Sequence, residues 1–116
     1  RQTVRNDDSV VIEVRWREVS LVFTGDIGRE VEAALAPALA PARLRLVKVA
    51  HHGSQTSSGA AWVATVRPDV AVVSVGRGNT FGHPAAAVLA RYEAAGAGIF
   101  RTDRQGAVSV DTDGYA

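Results

Sequence analysis

Residues 47–57 read VKVAHHGSQTS. An apolar stretch, Leu44, Leu46 and Val49, runs into two adjacent histidines, His51 and His52, followed by Gly53 and Ser54. Upstream, Val19 to Phe23 is nearly all apolar and ends at Thr24-Gly25-Asp26. Asp26 and His52 stand 26 residues apart. That spacing accommodates a strand, a crossover helix and a return strand, so both residues reach one rim of a parallel sheet. A carboxylate and imidazoles at such a rim point to a metal site.

Outward from this stretch the chain alternates. Val10, Ile12, Val14 and Trp16 alternate with Glu13, Arg15 and Arg17, the period of a half-exposed strand. Arg17-Glu18 is a short turn into the strand Val19 to Phe23. From Arg29, the residues Val31, Leu35 and Leu39 recur in steps of four, and Pro37 and Pro41 limit the helix they predict. A short helix is expected from Gly59 to Val66, with Trp62, Val63 and Val66 on one face, ended by Arg67-Pro68-Asp69. Val70 to Val75 is the best central strand. Residues 76–82 form a glycine- and asparagine-rich loop, and His83-Pro84 is expected to open another helix with proline in its first turn. Ala85, Val88, Leu89 and Tyr92 give that helix its apolar stripe, and Gly96 stops it. Ile99-Phe100 and Ala107 to Val110 are expected to pair as strands around a turn at 103–106. The order β, β-α-β-α-β-α-β, β predicts an α/β fold with a largely parallel core and helical crossovers. In such sheets ligands gather beyond the carboxyl ends of the strands. Asp26, His51, His52, Asn79 and His83 all fall there.

Bulk composition narrows the field less. The 116 residues suit one domain or part of a larger one, and 47% hydrophobic with 22% charged residues is globular rather than disordered. A net charge of +1, with Lys48 the sole lysine, gives no strong nucleic-acid patch. No cysteine is present, which excludes disulfides and thiolate metal ligands. No apolar run approaches the ~18 residues of a membrane span, and no signal-peptide pattern is present. The chain has no methionine and opens on Arg1, and the expectation is a fragment or a domain of a longer polypeptide.

Asp and His suit Zn²⁺ or Mn²⁺, and a hydrolytic metal must activate water and hold substrate oxygens. Such sites normally use about three protein ligands, and no HxHxDH or HxDxDH cluster occurs in this chain. Plainer readings stand beside each functional one. Asp26 precedes a helix and could be an N-cap. His51-His52 could be an exposed loop doublet, although the apolar strand before it and Gly53 after it favour ligation. His83 could simply begin a helix. The 76–82 loop could be turn chemistry, or its backbone N–H groups could meet phosphate oxygens. Asp103 reads as a turn residue and Trp62 as core. Arg101 could meet a phosphate or pair with Asp103 or another surface carboxylate.

Taken together, TGD (24–26), VKVAHHGSQTS (47–57), RPDVAVVSVGRGNTFGHP (67–84) and RTDRQGAVSV (101–110) resemble the carboxyl-terminal half of a metallo-β-lactamase-fold domain. The resemblance spans about Asp7 to Val110 and is closest to the domain of that fold in the ComEC competence proteins. It implies half of an αββα sandwich over residues 1–116, with the amino-terminal half and first metal motif lying upstream. It implies two divalent ions, with Asp26 as the bridging ligand and His52 as the later histidine ligand. His51 and His83 would then act on substrate or transfer protons, and Ser54 and Asn79 would bind substrate. The implied parent is a bacterial inner-membrane protein of DNA uptake, with a membrane-embedded domain in the same polypeptide. This domain would be extracytoplasmic and would act on DNA or another phosphodiester, degrading the non-transported strand. Other readings are a free-standing, soluble hydrolase of the same fold, acting for example on a phosphorylcholine ester, and a non-catalytic scaffold module.

Overall fold

In a computed structural model, residues 8–79 and 81–116 are described. Five strands form one mixed sheet in sequence order: β1 (Ile12–Trp16), β2 (Val19–Phe23), β3 (Leu44–Lys48), β4 (Val70–Val73) and β5 (Gly98–Arg101). β1 pairs antiparallel with β2, and β2 through β5 are parallel. The crossovers are α1 (Arg29–Leu35), α2 (Ala60–Val66) and α3 (Ala86–Ala94). The predicted parallel β-α-β-α-β-α-β core is therefore present.

Register decides which face each residue takes. Val22, Val47, Ala71 and Val73 share one face, where they pack against Trp62, Val63 and Val66 of α2 and Val88 and Tyr92 of α3. This is the core. Ile12, Val14, Leu21, Phe23, Leu46, Val72 and Phe100 take the opposite face. Ile12, Val14, Trp16, Phe23 and Phe100 are 40–51% exposed there. Lys48 shares this face, and the exposed apolar residues around it are of the kind that marks an interaction face.

Four details differ from the sequence expectation. First, residues 107–110 form no strand. After β5 the chain makes a single helical turn, α4 (Thr102–Gln105). The side-chain oxygen of Gln105 accepts the Arg101 N–H at 2.6 Å, and Thr102 Oγ1 both accepts from Val75 N–H and donates to Val75 O at 2.8 Å. The Gln105 bond occupies an N–H of β5, the strand a hairpin would have to pair with, and the Thr102 bonds tie the turn back to the exit of β4. Val108 and Val110 instead border a recess of about 280 Å³ with Leu21, Phe23, Leu46 and Val72 on the open face. The chain then ends against the β1–β2 turn, where Glu18 N–H donates to Gly114 O and the Arg17 guanidinium lies between the rings of Trp16 and Tyr115. The carboxyl-terminal flank is therefore an extended strap, not an antiparallel strand.

Second, α3 starts at Ala86 with Ala85 as N-cap, so Pro84 precedes the helix, joined to His83 by a cis peptide bond. The Ala85 N–H donates to Gly53 O at 2.9 Å, which draws this residue toward the HHGS loop rather than into a helical turn. Third, α1 buries Glu32, with Ala36 just beyond its end, while Val31 and Leu35 are only half-buried; Pro37 converts the continuation into a 3₁₀ turn, Ala36–Ala38. Fourth, β3 and β4 end at Lys48 and Val73, short of Val49 and Val75. Val49 and Val75 remain buried beyond the strand ends.

Candidate functional site

The site is assembled where β2, β3 and β4 end. Thr24 Oγ1 donates to Lys48 O at 2.6 Å, tying the exit of β2 to that of β3. The His51 N–H donates to Gly25 O at 2.8 Å, so the Thr24-Gly25-Asp26 turn and the histidine loop are fastened directly together. Asp26 does not cap α1, because Gly28 holds that position. His51 and His52 both adopt left-handed backbone, at φ 51° and 54°. Each such residue costs about 1–2 kcal/mol, and strain of this type concentrates at functional sites.

His52 Nε2 lies 3.9 Å from Asp26 Oδ1, and both side chains are exposed at the rim. The other ring nitrogen, Nδ1, lies 2.6 Å from the Ser74 carbonyl oxygen. A carbonyl only accepts, so Nδ1 carries the proton and donates. In neutral imidazole that leaves the Nε2 lone pair on the side of the carboxylate. Two acceptors then stand 3.9 Å apart at an exposed rim, a gap that a metal cation, a proton or a bridging water can fill. Anchoring one histidine nitrogen on a backbone carbonyl is how metal-ligating histidines are oriented. Two ligands at up to about 2.2 Å from one ion lie no more than about 4.4 Å apart, so this pair fits a shared metal. Among the described residues, no cluster of three or more His, Asp or Glu side chains is placed to complete the shell.

The remaining histidines adjoin the pair. The His51 ring centroid lies 6.4 Å from that of His52 and 5.6 Å from that of His83. Loss of solvent, with His51 and His52 nearby, pushes His83 below its ordinary 6.5, which leaves it neutral at neutral pH. Phe81 stacks on His83 at 5.9 Å. Asn79 uses its amide within its own loop. Nδ2 donates to His83 O at 2.8 Å and Gly76 O at 3.3 Å, and Oδ1 accepts from the N–H groups of Phe81 and His83. Ser54 is buried, with Oγ 3.0 Å from Thr56 Oγ1 and accepting the Thr56 N–H. Asp26, His51, His52, Asn79 and His83 thus meet at one rim, as topology predicts. Arg101 and Asp103 form a bidentate pair at 2.8 and 3.0 Å, and Trp62 is core.

Sequence reading overlooked Glu32. It is 1% exposed, and its carboxylate accepts the N–H groups of Ser58 at 2.6 Å and Gly59 at 3.1 Å. Arg29 donates to Gln55 O and Arg91 to Ser58 O. Together they clamp residues 55–59, the segment joining the histidine loop to α2. The available signal was weak: Glu30 and Glu32 flank Val31 in the first turn of α1, and only Glu32 falls four positions before the buried Ala36.

Burial holds the Glu32 carboxyl above its ordinary 4.5; the Gly59 and Ser58 N–H groups and the Arg29 and Arg91 charges oppose the shift. The folded state therefore binds this proton more readily than the unfolded state. Stability should fall as pH rises from about 4.5 toward the raised folded value. Urea unfolding of the wild type and Glu32→Gln across this range checks it: the difference between them should carry that slope, and parallel profiles would refute it.

Known relatives bear on this arrangement. The chain is 29% identical over 104 residues to ComE operon protein 3 of Bacillus subtilis (strain 168), covering 90% of this chain and 13% of that protein. It is 36% identical over 104 residues to competence protein ComA of Neisseria gonorrhoeae, covering 89% and 15%. It is 34% identical over 106 residues to recombination protein 2 of Haemophilus influenzae (strain ATCC 51907 / DSM 11121 / KW20 / Rd), covering 91% and 13%. The chain thus spans only 13–15% of the length of these relatives. No family model matches the chain, and no solved structure does. Among the described residues no helix is long and apolar enough to cross a membrane.

Proposed function

We propose that this chain is the carboxyl-terminal half of a metallo-β-lactamase-fold domain in a ComEC-like bacterial competence protein, and that the complete domain is a metal-dependent phosphodiesterase acting on DNA during uptake. The observation that carries the reading is the facing pair Asp26 and His52, 3.9 Å apart, with His52 anchored through its other nitrogen on Ser74. The open sheet face supports the half-domain part of the reading: it is an apolar surface of the right kind to receive the second sheet of a sandwich. The competence and recombination relatives, each aligned along about nine-tenths of this chain, support the setting in DNA uptake. In this reading a membrane-embedded domain would belong to the same polypeptide and this domain would lie outside the cytoplasm.

Zn²⁺ or Mn²⁺ held by Asp26, His52 and ligands from the preceding half would lower the pKa of water and stabilise charge on the phosphate. The chain's own residues do the rest. Ser74 fixes the His52 ring so that Nε2 faces Asp26. His51 and His83 stand beside the pair, where an imidazole can take a proton from the nucleophile or give one to the leaving oxygen. Asn79 holds His83 in place through the loop backbone, and Ser54 braces the histidine loop.

The test is hydrolysis of labelled DNA and of bis(p-nitrophenyl) phosphate by the full-length parent with Mn²⁺ or Zn²⁺. Metal-dependent cleavage by the parent is expected, with negligible turnover and weak metal binding by the 116-residue chain alone. The chain supplies two donors where a catalytic site uses about three. A parent that binds DNA without cleaving it would be a scaffold module, and robust hydrolysis by the isolated chain would refute the half-domain assignment.

A further inference from the structure

Phe81 is the most exposed large apolar side chain among the described residues, at 80%, yet it does not belong to the open sheet face. It stands at the strand-end rim with its ring stacked on His83, which in turn contacts His51. Leaving a phenylalanine in water forfeits about 1.5–3 kcal/mol of burial. The loop is nonetheless built to keep it there. Asn79 Oδ1 accepts the Phe81 N–H at 3.3 Å and the His83 N–H at 3.1 Å, while Nδ2 fastens the His83 and Gly76 carbonyls. The display is therefore fixed by hydrogen bonds on both sides of the ring's own backbone.

We propose that Phe81 is a stacking platform for a nucleobase of single-stranded nucleic acid, setting the strand so that its adjacent phosphodiester reaches the Asp26–His52 pair. The proposal rests on the phosphodiesterase reading and names the form of substrate. Three observations select it. Successive ring contacts link Phe81 to His83, His83 to His51 and His51 to His52, so a base on Phe81 lies three ring-to-ring steps from the Asp26–His52 pair, within reach of its own backbone. The net charge of +1 gives backbone neutralisation little to work with, so a strand needs base contacts to be held. Arg77 is exposed on the same loop, where its Nε donates to Asp103 O at 3.4 Å, so its charge lies on the loop that carries Phe81. A base pair inside a duplex has both faces covered by its neighbours, so stacking on Phe81 takes an unpaired base or a strand end. Stacking is tolerant of base identity, because every base has a π-face.

The experiment uses the full-length parent in EDTA, which suppresses cleavage. The probes are a labelled oligothymidylate of about 12 nucleotides, within the size range such grooves cover, and an abasic strand of equal length. Phe81→Ala should weaken oligothymidylate binding by about 5- to 150-fold and leave abasic binding unchanged. Phe81→Trp should keep the affinity. Its added fluorescence, taken as the difference from wild type because Trp16 and Trp62 also emit, should be quenched by oligothymidylate and not by the abasic strand. Wild-type affinity in Phe81→Ala, or emission at position 81 that is buried before any strand is added, would overturn the proposal. The second result would mean that the ring is seated on another part of the parent. Cleavage with metal restored is read separately. Its loss in Asp26→Ala with the base preference intact bears out both readings. A parent that shows the base preference but never cleaves keeps the platform and removes the hydrolase.

Discussion

Alanine at Asp26 or at His52 is expected to cut metal-dependent hydrolysis by the full-length parent by more than about 100-fold. That bound comes from removing outer partners of metal ligands, which alone costs about 10- to 100-fold. Deleting a ligand must exceed it. If the pair holds one ion across the 3.9 Å gap, the two substitutions remove the same thing, so the double variant should be little worse than either single one. His51→Ala and His83→Ala should instead slow turnover while metal content changes less, because those rings adjoin the pair without sharing the Asp26–His52 gap. Measuring bound metal beside rate separates the two classes. Wild-type activity in Asp26→Ala would remove the assignment.

The second large effect is expected from Gly53→Ala. Gly53 sits at φ +83°, and a β-carbon placed on it would lie 2.5 Å from Pro84 Cβ and 2.9 Å from Pro84 Cα. Left-handed strain costs about 1–2 kcal/mol, and forcing the backbone of the Pro84 segment outward adds about 1–3 kcal/mol. The sum, about 2–5 kcal/mol, corresponds to a fall in Tm of roughly 8–20 °C for a domain of this size. Gly96→Ala is the control: it shares the positive φ, +86°, but has nothing within 4 Å of the added carbon. It should cost only the strain. Equal losses in the two variants would show that Gly53 matters for conformation and not for the contact with Pro84. The clash also predicts a functional effect in Gly53→Ala, because displacing Pro84 moves His83 away from His51.

The central sheet was legible because its strands are bounded by residues with clear local roles. Val19 to Phe23 ends in a Thr-Gly-Asp turn, and the run through Leu44 and Leu46 ends in two histidines and a glycine. One-helix spacing between such runs leaves a parallel pair as the natural outcome. Convergence of Asp26, His51, His52, Asn79 and His83 follows from that topology, since all lie beyond carboxyl ends of strands. Side-chain hydrogen bonds over long sequence separation were not legible. Gln105 closing the edge of β5 and Thr102 bonding Val75 redirect the carboxyl-terminal segment, and neither contact leaves a trace in hydropathy. Glu32 was hidden for a related reason: periodicity counts apolar residues, and this buried position is carboxylate held by two backbone N–H groups. The start of α3 moved because Ala85 bonds Gly53, a residue 32 positions earlier. Nor does hydropathy alone distinguish the open face from the covered one, since Leu21 and Val22 are equally apolar and point to opposite sides of the sheet.

The most direct measurement is the metal content and ligand geometry of the full-length parent, by elemental analysis and X-ray absorption, beside Asp26→Ala and His52→Ala. The account predicts one to two equivalents of zinc or manganese per chain, with nitrogen and oxygen ligands at about 2.0–2.2 Å, and loss of metal in both variants. Absence of bound metal in the parent after reconstitution with Zn²⁺ or Mn²⁺, or a metal content that neither substitution changes, would contradict it.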